Sequence, residues 1–145
     1  MASWRDTVSE QAQADLDGLT DAAVNLALET IAARGEFLPF ALAVSVDGER
    51  QVIAPDYPTS AKLAVVEQLA AHWRAVTALK DSLRAAVVAL NVTLTDPHRD
   101  GIEISVEHRE GAAVGLIFPY TTGADGAVEV EAPSAHALNP RLWRP

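Results

Sequence analysis

The chain has 145 residues, with 20 Asp and Glu against 11 Lys and Arg for a formal charge of −9, and it contains no cysteine. That length suits one domain able to bury an ordinary core. The lack of cysteine excludes disulfide frameworks, thiolate metal centres, iron–sulfur clusters and thiol nucleophiles, and the acidic balance argues against a nucleic-acid partner, since phosphate binding relies on Lys and Arg.

No apolar stretch approaches the roughly 18–20 residues of a spanning helix, so no membrane partner is expected. The start, Met1-Ala2-Ser3-Trp4-Arg5-Asp6, lacks a basic segment followed by an apolar run, which points to the cytoplasm. Sparse Lys with abundant Ala and Arg fits a GC-rich bacterial coding bias.

Residues 5–34 read as a helix, with Val8, Ala12, Leu19, Ala23, Leu26 and Ala33 on one face and Asp6, Glu10, Gln13, Asp17 and Asp21 opposite. A kink is expected near Gly18, and Gly35 is a natural stop. A hairpin follows, with Phe40, Leu42, Val44 and Val46 alternating with Ala41, Ala43, Ser45 and Asp47, an Asp47-Gly48 turn, and a return over 50–54. Thr59 or Ser60 caps a second helix to about Leu79, with Val66, Leu69, Trp73 and Val76 as its apolar stripe. Strands are then expected over 86–95, 102–109 and 112–120, with a weaker one over 127–131, and residues 132–145 form a tail. The order α-β-β-α-β-β-β predicts an α+β two-layer sandwich, an antiparallel sheet of about five strands with two helices on one face.

The blocks Glu36-Phe37-Leu38-Pro39-Phe40-Ala41, Val46-Asp47-Gly48-Glu49, Glu107-His108-Arg109-Glu110-Gly111 and Phe118-Pro119-Tyr120 resemble a small bacterial family of uncharacterised proteins. The resemblance covers most of the chain beyond the first helix and implies no activity. The element order is also similar to the roadblock/longin type of dimerising module, although this chain lacks a clear closing helix after its last strands.

One sheet face is expected to carry small residues, among them Ala41, Ala43, Ser45, Ala85, Val87, Ala89, Asn91, Thr93, Ala113, Gly115 and Ile117. Such a face lets a subunit mate, the tail or a ligand pack close. Reactive chemistry finds little support. His72, His98, His108 and His136 show no metal-ligand spacing, and neither nucleophile elbows nor phosphate-cradling glycine loops occur. Glu107-His108-Arg109 is the most reactive-looking cluster, but alternation points His108 away from Glu107 and Arg109. Glu103 and Glu107 share a face at roughly 13 Å along the strand, too wide for a carboxylate pair; cross-strand pairing with Arg84, Arg109, Asn91 or Thr93 is expected instead.

No catalytic, metal or cofactor-binding residue is assigned. The candidate ligand or interface residues are Ala43, Ser45, Ala89, Asn91, Glu103, Glu107 and Tyr120. The leading reading is a non-catalytic homodimeric assembly or protein-interaction module. The alternatives are a small-molecule binder or enzyme with a polar pocket near Glu103 and Glu107, and an acidic inhibitor that holds a basic partner through the helix-one carboxylates.

Overall fold

The computed structural model describes residues 4–55, 63–95 and 99–144. A 3-10 turn over Trp4–Thr7 leads into helix α1, Glu10–Arg34. Ser9 is its N-cap, its Oγ accepting the Ala12 N–H at 3.1 Å. The helix runs unbroken through Gly18. A Cβ there would stand 2.9 Å from the Arg50 guanidinium, so the glycine makes room for that side chain rather than bending the helix. The buried stripe is Ala12, Leu16, Leu19, Ala23, Ala27 and Ile31, whereas Leu26 and Ala33, expected on it, are exposed.

Among the described residues seven strands form one sheet: β1 (Phe40–Ser45), β2 (Arg50–Ile53), β3 (Leu83–Leu94), β4 (Arg99–His108), β5 (Ala113–Thr122), β6 (Val128–Val130) and β7 (Ser134–Ala137). Every pairing is antiparallel, in the order β2-β1-β3-β4-β5-β6, with β7 lying along β5 beside β6. The expected hairpin turn is present, Gly48 supplying the positive φ of +91° that the β1–β2 connection requires. Helix α2 spans Val65–Leu79 and passes through a short 3-10 turn, Lys80–Ser82, into β3. Its expected caps, Thr59 and Ser60, lie outside the described residues, as does His98. Val66, expected on the apolar stripe, is exposed, while Ala71, His72 and Val76 are buried.

The architecture corrects two expectations. There are more than five strands, and the helices lie on opposite faces of the sheet. Leu42, Val44, Ala85, Val87, Ala89, Ile102, Ile104, Val106 and Val114 pack with the α1 stripe. Ala41, Ala43, Ile53, Leu83, Ala86 and Val88 pack with Leu69, Trp73 and Val76 of α2, and with Leu142 and Trp143. The small-residue face therefore does not exist as one surface. Register is the reason: Leu42 pairs with Val87 and Ala43 with Ala86, so the β3 residues grouped with Ala43 fall on the other side. Ala43 and Ala89 are both fully buried, within one chain and on opposite faces.

Burial beneath α1 makes Ala89 intolerant of volume. Ala89→Leu is expected to lose about 1–3 kcal/mol of stability through overpacking, read as a lower urea midpoint at unchanged helix content. An unchanged midpoint would mean that α1 does not rest on β3.

Candidate functional site

The end of β4 carries two buried ionisable groups side by side. Glu107 and His108 are adjacent and both buried, and the pleat sends them to opposite faces. On the α2 face, Glu107 meets the segment that follows β7. Its Oε2 accepts the Arg141 N–H at 3.1 Å, and its Oε1 accepts those of Leu142 at 2.9 Å and Trp143 at 3.0 Å. Consecutive backbone N–H groups converging on one carboxylate form an anion-binding concavity, here filled by the protein's own Glu. The expected cross-strand partners of Glu107 do not bind it.

Side chains complete the dock. Leu142 is buried among α2 and β1–β3 residues. Its carbonyl accepts from Lys80 Nζ at 3.3 Å. The Arg109 guanidinium lies 5.9 Å from the centre of the Trp143 ring and donates to the carbonyls of Leu83, Lys80 and Asp81. Arg141 lies 4.4 Å from the centre of the Trp73 ring. Between this segment, α2 and β4 is a cleft of about 320 Å³ lined by Trp73, Glu103, Ser105, Glu107, Asn139 and Arg141, among others.

On the α1 face, His108 Nε2 lies 3.0 Å from Asp15 Oδ2, and Arg84 pairs with the same carboxylate, its Nη2 donating to Oδ1 at 2.9 Å and its Nε lying 2.9 Å from Oδ2. The Glu110 N–H donates to His108 Nδ1, which leaves Nε2 as the protonated nitrogen facing Asp15. Both ring nitrogens are engaged, so neither is free to take a proton from a substrate. Gly111, at a φ of +109°, closes the turn after β4 and sets Glu110 beneath the start of α1. There Glu110 accepts from the backbone N–H and the hydroxyl of Ser9 at 2.9 and 2.6 Å. The Ser9 hydroxyl, followed by the Ser9 amide, holds the Glu110 carboxyl below the usual carboxylate range.

The candidate residues thus separate. Glu103 and Glu107 share a face and a cleft, as alternation implies, and Ser45 ends β1, where its Oγ accepts the Glu49 N–H across the turn to β2. Asn91 and Tyr120 meet on the α1 face, the phenol donating to Asn91 Oδ1 at 2.7 Å while burial pushes its pKa up. Among the described residues no group of His, Asp or Glu converges as a metal site. Sequence reasoning missed the contact of Glu107 with residues 141–143. Its available signal was Leu138, Leu142 and Trp143, the large apolar side chains of the closing segment. Comparison with protein-family models, curated proteins and solved structures finds no match to the chain.

Glu107→Ala leaves three backbone amides, that of Leu142 buried, without their acceptor and is expected to cost on the order of 3 kcal/mol. Urea unfolding measures the loss, and red-shifted tryptophan emission reports release of residues 141–143. A variant as stable as the parent would show that the dock carries no energy. Glu110 acts in the opposite layer. Its carboxyl is held low in the folded state, so its stabilisation is present at neutral pH and drains away as pH falls through that lowered value. The stability gap between the parent and Glu110→Gln, from melts at successive pH values, should close on acidification; a gap that widens would contradict the latch.

Proposed function

We propose that the protein is a non-catalytic interaction module that pairs with a second copy of itself along the β2 edge of its sheet. The observation that carries this reading is the apolar surface beside that edge. Val52 is 73% exposed, Leu38 58% and Val46 48%. Leu26, Phe37, Leu38 and Phe40 line one hollow where α1 ends and β1 begins. Among the described residues β2 is the terminal strand of the sheet, and such an edge offers a row of backbone donors and acceptors on its outer side. A two-fold axis beside it would bury this surface against its own equivalent, the commonest form of association. Ala43 and Ala89, buried in one chain, play no part.

The cleft beside Glu103 supports a small-molecule reading less well. Its volume of about 320 Å³ is at the low end for ligand pockets, and the carboxylate of Glu107 is already taken up by residues 141–143. The acidic-inhibitor reading loses two of its carboxylates, since Asp15 is paired with Arg84 and Asp17 with Arg5.

Light scattering after size exclusion tests the pairing. The parent chain is expected to run as a dimer at micromolar concentration, and Val52→Glu combined with Leu38→Glu as a monomer with an unchanged circular dichroism spectrum. A parent that stays monomeric, or a dimer that survives both substitutions, would sink the reading.

A further inference from the structure

The chain is strongly acidic, yet docking of residues 138–144 gathers cations at one corner. Of its 11 Lys and Arg, Arg74 comes from α2, Lys80 from the 3-10 turn, Arg109 from the turn after β4, and Arg141 and Arg144 from the docked segment. Two open clefts border that segment and share Arg141 and Arg144. One, of about 600 Å³, is lined by Trp73, Arg74, Thr77, Ala78, Arg141 and Arg144, without a carboxylate. The other, of about 680 Å³, adds Lys80 and Arg109. It contains Asp81 and Glu110, and Glu110 is bound by Ser9.

The Glu107 clamp builds this patch. By holding the amides of residues 141–143, it fixes Arg141 and Arg144 next to Arg74, which they approach only through the fold. Arginines from separate elements around an open surface suit a ligand with several planar oxyanions spaced along a chain. We propose that this corner is a docking surface for an acidic, Asp- and Glu-rich segment of a partner protein. Charge complementarity selects such a partner, because the rest of this chain's surface repels it. The surface shares no residue with the β2 edge, so it does not depend on self-pairing.

Fluorescence anisotropy of the full chain with a labelled peptide of alternating Glu and Asp tests the proposal. Saturable binding that weakens with added salt is expected, with no binding of the equivalent Lys peptide. Arg74→Glu with Arg144→Glu, both exposed, should weaken it by about tenfold or more. Glu107→Gln keeps every cation but loosens the clamp, and it should weaken binding too. The proposal is overturned by a parent that does not bind, by equal affinity in the charge-reversed variant, or by an unchanged affinity in Glu107→Gln. Displacement by inorganic phosphate at equal charge would also overturn it, in favour of a free-anion site. So would loss of self-association on charge reversal without any peptide binding.

Discussion

Two neighbouring side chains at the end of β4 tie the outer layers to the sheet. Glu107 faces one way and receives the backbone of residues 141–143; His108 faces the other and meets Asp15 of α1. Alternation along a strand makes both contacts possible from adjacent positions. Arg109 and Glu110 extend the same division. Arg109 reaches the Trp143 ring and the carbonyls of Lys80, Asp81 and Leu83 at the start of β3, and Glu110 reaches the cap of α1. A cluster with the composition of an acid–base site is therefore spent on holding layers together.

Such ties matter because the sheet is covered unequally. α2 lies over β1, β2 and β3, and residues 138–144 lie against the β4–β5 part of that face. A buried carboxylate is costly unless its lone pairs are filled, and three backbone donors fill those of Glu107. Without that segment the same carboxylate would stand beside the cleft with Glu103. The energetic dependence is mutual, and it places Leu142 and Trp143 in the second core rather than in solvent.

Local chemistry made much of the fold legible. The Asp47-Gly48 turn, the Gly35 helix stop and the strands over 102–109 and 112–120 follow from turn residues and period-two patterning, and each corresponds to an observed element. The side on which each helix packs was hidden. Phe40–Ser45 and the first half of β3 are apolar at nearly every position, so neither strand declares a solvent face, and their relative parity is set by a register that shifts between Val44 and Ser45. Continuous apolar runs of this kind are what strands buried on both faces require, and they are the signal for a third layer. β7 was hidden for another reason: Ser134–Ala137 is exposed at every position and is a strand only because β5 offers it an edge. Of the candidate site, the shared face of Glu103 and Glu107 was legible; the backbone that occupies Glu107 was not, because backbone donors leave no trace in composition.

Amide hydrogen exchange at Arg141, Leu142 and Trp143 addresses the central claim most directly, because these three donors are what Glu107 holds. The account predicts that all three are protected in the intact protein well beyond the rates of an unstructured peptide, and that they exchange together. Exchange at unstructured-peptide rates, with the β4 amides still protected, would contradict it.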